Sequence, residues 1–454
     1  MKFYKSNKKF FCQKVQDDIK ARCKDTTFFS WAAQRTFDPL PIKTAKGCYM
    51  YDYNGKEYFD LNSGLMCSNL GHNHPTIIKE IQKQAESLSF VGPSLATEIR
   101  AETTELILQK TPKNIKKIFY TLGGAESTEN AIKFARFSTG RHKIMVRYHS
   151  YHGATHGAIT LTSDPRRFPN EPGMPGVLRT FNPYKYRCPI YREGMSDEEY
   201  AAKLIEILEY QLIQENPESF ASIHIEPVTG SNGILVPPAD YMNRLRKLCD
   251  KYGILLVSDE VMTGFGRTGK DFAVQHWNVE PDIIVSAKGL TSAHLPLGIV
   301  GVSEKIAKMY DDKPFSGGLT YQAHPMCLAA AKGAMLGMNE EKATENSAKL
   351  GEVLKTWFEE MKQKHKCVGD VRNIGLFGCL ELVSSRKTKQ PMHLTGTNPM
   401  LGLGAKLKER GLLNFIFGSY LFVNPPLIVK ENQLRAAMKI IDEELEAIDK
   451  HSTD

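Results

Sequence analysis

No stretch of this 454-residue chain comes near the roughly 20 consecutive apolar residues that a membrane-spanning helix requires. Its start also lacks the apolar core of a secretory signal. Lys2, Lys5, Lys8, Lys9 and Lys14 crowd that region, and Asp17 and Asp18 speak against an arginine-rich transit peptide. A solvated, frayed arm over residues 1–24 is expected, on a protein of the cytoplasm with no membrane partner. The nine cysteines form no C-x-x-C pair, which points to free thiols in a reducing compartment. Internal repeats and low-complexity tracts are absent too. The formal net charge of +8 comes without an aromatic-interleaved basic stripe or a nucleic-acid motif. An anionic cofactor and anionic substrates account for it at least as well as nucleic acid, which is not expected as a partner. His149, His152 and His156 lie close together, but no carboxylate or cysteine joins them, and no metal is expected.

Two short, apolar, β-branched runs stand out because each ends in an ionisable residue. Leu255-Leu256-Val257-Ser258 leads into Asp259, and Ile283-Ile284-Val285-Ser286-Ala287 leads into Lys288. Such runs read as buried parallel strands with functional tips. Open α/β sheets bind ligands beyond the carboxyl ends of their strands, so an acid and an amine are offered to one crevice. A buried lysine is costly unless it is paired or reactive. Beside a carboxylate, the chemistry that needs both is a pyridoxal phosphate Schiff base with an acidic partner for the pyridine nitrogen.

Between these strands, Gly264-Phe265-Gly266-Arg267-Thr268-Gly269 matches G-x-G-x-x-G. The dinucleotide fingerprint belongs in the first strand-to-helix turn, and here Asp259-Glu260-Val261 intervenes. Glycines in an irregular active-site loop are the better account. A stronger phosphate site lies upstream, where a strand over 118–121 gives way to Gly123-Gly124 and a helix with Ala131, Phe134 and Ala135 on one face. Free N–H groups and the dipole at that helix start suit a phosphate dianion.

These segments, in order, make the chain resemble the class III, or omega, aminotransferases, which are fold-type I pyridoxal phosphate enzymes. The resemblance spans almost the whole chain. It opens at Trp31-Ala32-Ala33-Gln34 and runs through Gly71-His72-Asn73-His74-Pro75, Ser150-Tyr151-His152-Gly153 and Glu226-Pro227-Val228. The family signature covers 259–269, followed by Ser286-Ala287-Lys288-Gly289 and Gly318-Leu319-Thr320-Tyr321.

The resemblance implies an α/β fold: a large, mostly parallel sheet with helices on both faces, plus a small α+β domain from both chain ends. Expected boundaries are 1–87 for the arm and the first part of the small domain, 88–338 for the cofactor domain and 339–454 for the rest. It implies that Lys288 carries the cofactor and shuttles the proton, and that Asp259 keeps the pyridine nitrogen protonated. Val261 and Tyr151 would cover the two ring faces, with His152 and Glu226 also at the cofactor. Gly124 and Ala125 would hold the phosphate, Ala125 lacking the hydroxyl that many relatives supply there. Thr320 would reach the phosphate of a neighbouring subunit, making the enzyme a homodimer with two shared sites. Its partners would be an amino donor and a 2-oxo acid.

Departures from the family bear on the substrate. Ser231, Phe422 and Phe415 stand where relatives keep a switch glutamate, its partner arginine and a mobile arginine. The segment 161–173, with Asn182-Pro183-Tyr184-Lys185-Tyr186-Arg187, looks like the taurine aminotransferase branch. Arg166 or Arg167 is the candidate for a bidentate grip on the substrate's anion, Arg147 is a third option, and Trp31 is also expected to bind the substrate. A solvent-exposed turn arginine would leave the same trace. Taurine is the first substrate expected. β-Alanine, GABA and diamine:pyruvate aminotransferases are the alternatives, then an aminomutase or an inactive scaffold.

Overall fold

The structure is a computed structural model that describes residues 2–453, with side chains from residue 13 onward. Seven strands form its central sheet, in the order Ile115–Thr121, Gly298–Ser303, Ile283–Ser286, Leu255–Asp259, Phe220–Ile225, Lys143–Arg147, Val177–Thr180. Gly298–Ser303 runs antiparallel to both neighbours, and the other pairs are parallel. Every residue of Leu255–Asp259 and Ile283–Ser286 is buried, as expected of strands covered on both faces. Alternate residues serve opposite layers. Leu256 and Ile284 enter the main core, while Val257 and Val285 pack with Ala131, Phe134 and Ala135 of the helix Gly124–Thr139.

Two smaller sheets complete the molecule. One joins distant parts of the chain: Ile42–Lys46, Tyr49–Asp52 and Glu57–Asp60 are continued by Leu412–Leu413, parallel to the third strand. The other holds Val368–Ile374, Phe377–Ser385, Tyr420–Val423 and Ile416–Phe417, with Gln390–Pro391 paired at the side. Long helices Ala343–Lys364 and Glu431–Asp449 flank them.

The glycine-rich segment at 264–269 is a structural knot. Its Arg267 is fully buried and donates to the carbonyls of Leu376 and Pro425, to Ser63 Oγ and to Asn69 Oδ1, at 2.7–3.0 Å. One guanidinium thus fastens the loop to segments from both chain ends.

The amino-terminal arm differs from expectation. It forms a helix over Lys2–Thr26, because this run contains neither glycine nor proline to interrupt it. Its inner end is anchored: Gln16 is buried, and Lys20 pairs with Asp38. Among the described residues no helix is long and apolar enough to cross a membrane.

Candidate active site

Three parallel strands, Phe220–Ile225, Leu255–Asp259 and Ile283–Ser286, end at one cavity of about 270 Å³. Glu226, Asp259 and Lys288 line it together with Gly124, Ala125, Tyr151, His152, Val261 and Met262. Lys288 has φ 43°, a left-handed conformation costly for a residue with a Cβ and typical of functional positions. Among the described residues no hydrogen bond or ion pair holds its Nζ. Burial lowers its pKa, opposed by the nearby Cys67, Asp259 and Glu226 and reinforced by Arg166. An amine poised this way is more readily deprotonated, and so nucleophilic, than an exposed one.

Asp259 is held from two sides. Its Oδ2 is hydrogen-bonded to His152 Nδ1 at 2.7 Å, and its Oδ1 accepts the Val261 N–H at 3.0 Å. Burial raises its pKa to about 6, opposed by His224, the Val261 N–H and Lys288. Burial pushes His152 down to about 4 and His224 down to about 3, so both imidazoles are neutral near pH 7. Glu226 accepts from the Tyr151 N–H at 3.1 Å and the Gly230 N–H at 2.8 Å, and burial raises its pKa.

The three histidines grouped by sequence do not converge. His149 packs edge-on against Tyr184 at 5.7 Å, whereas His152 meets His224 at 4.7 Å. His152, His224 and Asp259 bring ligand atoms within 4.8 Å of one another, a cluster that sequence spacing concealed. The one trace of it was a histidine inside the buried run Ile223-His224-Ile225.

The helix Gly124–Thr139 starts at the cavity wall without a side-chain cap, so its first N–H groups are available to an anion. A Cβ on Gly124 would lie 3.0 Å from both Val261 methyls, which explains glycine at this close approach.

The structure separates the two candidate arginines. Arg166 lies over Tyr151, its guanidinium carbon 3.8 Å from the ring centroid, with Phe417 at 5.0 Å and Trp31 at 5.9 Å. It is ion-paired with buried Asp164 and donates to Ser231 Oγ at 2.7 Å. Arg167 turns away, pairs with Glu171 and lines a separate recess with Arg179. Arg147 is buried in the core, donating to the Glu226 carbonyl and to Thr229 Oγ1. The expected bidentate grip needs correction as well: Asp164 already occupies Nε and Nη2 of Arg166. Phe415 and Phe422 pack ring against ring at 5.3 Å in an apolar cluster with Met262 and Phe377, so both positions belong to the core. Thr320 is exposed and does not line this chain's cavity. Trp31 is 63% exposed.

The sequence profile described as "Aminotransferase class-III" matches residues 31–445. The chain belongs to the class III aminotransferases. Like the family, this aminotransferase is dependent on pyridoxal phosphate. Its cavity fits that group, with an amine that has no partner among the described residues, a buried acid, an aromatic ring and an uncapped helix start all lining one space. Among solved structures, a taurine:2-oxoglutarate aminotransferase from Bifidobacterium kashiwanohense, in complex with pyridoxal phosphate and glutamate, superposes with a TM-score of 0.92. It is 39% identical, with 96% of this chain and 98% of that one covered. A thermostable (S)-enantioselective omega-transaminase from Thermomicrobium roseum gives a TM-score of 0.89 at 32% identity, covering 95% and 98% of the two chains. A 5-aminovalerate aminotransferase of Pseudomonas aeruginosa is 33% identical over 89% of this chain and 93% of its own length.

Proposed function

We propose that this aminotransferase takes the terminal amine of an anionic ω-amino acid, taurine first, and passes it to a 2-oxo acid. The observation that carries this reading is Arg166, stacked on Tyr151 at the cavity wall and fixed there by Asp164. The apolar cluster around Phe415 and Phe422 offers no cation, which leaves Arg166 to meet the substrate's tail. The 39% identity to a taurine:2-oxoglutarate aminotransferase supports the same choice. A GABA or 5-aminovalerate donor is the second reading, favoured by curated relatives at 30% and 33% identity.

Bound pyridoxal phosphate supplies a ring that takes up the electron pair left when the substrate carbon loses its proton. In this reading Lys288 Nζ carries that proton, and burial, which lowers its pKa, makes it a readier base than an exposed lysine. Asp259 would present a negative charge to the ring nitrogen, with His152 fixing its orientation. Tyr151 and Val261 would cover the ring faces, and the first N–H groups of the helix Gly124–Thr139 would hold the phosphate. Glu226 orients the Tyr151 backbone.

The site is completed, in the same proposal, by a second copy of the chain. Phe90, Leu95 and Tyr321 are exposed apolar residues, Phe90 and Tyr321 touch edge to face at 5.8 Å, and Thr320 adjoins them. Such a patch favours burial against another surface, and Thr320 would serve the opposite site. The eight cysteines with described side chains are free thiols, in keeping with a reducing cytoplasm. A panel of taurine, β-alanine, GABA, 5-aminovalerate and diamines, which lack the anionic tail, against pyruvate and 2-oxoglutarate tests the reading. Taurine should lead. A panel in which GABA or 5-aminovalerate leads moves the assignment to the second reading, and preference for donors without an anionic tail refutes both.

A further inference from the structure

Arg166 offers an incoming anion less than its five N–H groups suggest. Its Nε donates to both oxygens of Asp164, at 3.0 and 3.1 Å, and its Nη2 to Asp164 Oδ2 and to Ser231 Oγ at 2.7 Å. Asp164 is held in turn by the Arg166 backbone N–H and by Asn232 Nδ2, each at 3.0 Å. The carboxylate therefore stays in place when substrate arrives. Both hydrogens of Nη2 are used, and among the described residues only the two on Nη1 are free.

Ser231 supplies what is missing. Its Oγ accepts from Arg166, which leaves its own proton to be donated, and among the described residues no acceptor takes it. It is 6% exposed, and it follows Gly230, whose N–H donates to Glu226 Oε2 at the cavity wall. A hydroxyl whose acceptor side is locked by a guanidinium is a polarised donor.

We propose that Ser231 Oγ–H and the two hydrogens of Arg166 Nη1 form a three-donor cradle that selects a sulfonate over a carboxylate. A sulfonate has three equivalent oxygens in a tetrahedral head, one for each donor. A carboxylate has only two, held in one plane, so one oxygen must serve two of the three donors and at least one of those bonds is bent and weakened. Asp164 sharpens the discrimination. It cancels the charge of Arg166, so the anion is recognised by directed hydrogen bonds more than by net attraction. The cradle rests on the reading that Arg166 holds the substrate's anion.

The test uses the holoenzyme and two matched pairs. Taurine and β-alanine differ as donors only in the anionic head. Isethionate and 3-hydroxypropionate are the corresponding inhibitors, unable to react because a hydroxyl replaces the amine. Ser231→Ala should raise the KM for taurine and the Ki for isethionate about tenfold or more, the loss expected for one hydrogen bond to a charged group. The β-alanine and 3-hydroxypropionate constants should move less than threefold, kcat with taurine should stay within about twofold, and Ser231→Thr should restore the sulfonate preference.

Equal losses for both heads, or failure of threonine to rescue, overturn the cradle. Arg166→Ala separates it from the reading beneath it. If Arg166→Ala weakens both anions while Ser231→Ala changes nothing, the hydroxyl has no part and the anion site stands. If Arg166→Ala is also harmless, the anion site itself is refuted.

Discussion

Asp259 is buried, hydrogen-bonded to His152 and to the Val261 N–H, and its pKa is raised from 3.8 to about 6 in the protein alone. At about 1.36 kcal/mol per pH unit of displacement, ionising this carboxylate costs ~3 kcal/mol more in the folded apoenzyme than in the unfolded chain. The sign follows from the direction of the displacement. With its folded pKa raised, Asp259 contributes fully to stability below pH 3.8 and loses that contribution as pH rises through about 6. Asp259→Asn removes the cost. Asparagine fills the same volume, its oxygen can accept the Val261 N–H, and its amide can donate to Nδ1 of the other His152 tautomer. The stripped Asp259→Asn protein should therefore melt above the stripped wild type at pH 7.5, on the order of 3–5 °C for a chain of this size. The gap should close toward pH 4, where the wild-type carboxyl is protonated. The same substitution should slow transamination roughly a hundredfold or more, since a charge aimed at the reacting system is lost from a dry site. Scanning fluorimetry of both apoproteins from pH 4 to 8 is the assay. A variant that melts at or below wild type at pH 7.5, or a gap that does not shrink in acid, refutes the assignment of a strained carboxylate.

Lys288→Ala should abolish turnover while cofactor is still retained weakly at the phosphate end, read by the absorbance left after desalting. Substantial residual turnover would remove Lys288 from the chemistry. Mixing Lys288→Ala with Thr320→Ala subunits should regenerate one intact site per heterodimer, and an inactive mixture would mean that Thr320 serves its own chain. Gly375 has φ 58°, and a Cβ there would lie 2.4 Å from the Thr268 carbonyl carbon. Gly375→Ala should thus destabilise by more than about 1 kcal/mol in a denaturant melt, and an unchanged midpoint would show that this contact can relax.

Lys288 and Asp259 were legible because burial on both faces leaves a strand tip as the only place for a charge, a rule that local sequence displays. The helix after Gly123-Gly124 was legible for the same reason, its apolar face being periodic. Partnerships across loops were not. The occupancy of Arg166 by Asp164 depends on a turn that folds the chain back within two residues, and the Asn232 contact spans 68 residues. His224 gave no signal beyond its polarity, because its neighbours His152 and Asp259 come from other elements. The amino-terminal helix was misread since lysine density suggests solvation without deciding backbone conformation.

The sheet that unites Glu57–Asp60 with Leu412–Leu413 has a consequence for synthesis. Lys56 and the carbonyl it meets at Glu409 are 353 residues apart. At roughly 5–20 residues per second the ribosome needs on the order of 20–70 s to bring the second to the first. Through that interval the edge of Glu57–Asp60 and its apolar neighbours wait without their final strand. The large sheet lies wholly within the intervening residues and can collapse first, so the small sheet closes last. Newly made chains should accordingly be most exposed to chaperones and to aggregation at their amino-terminal strands, in the half-minute before the carboxyl end emerges.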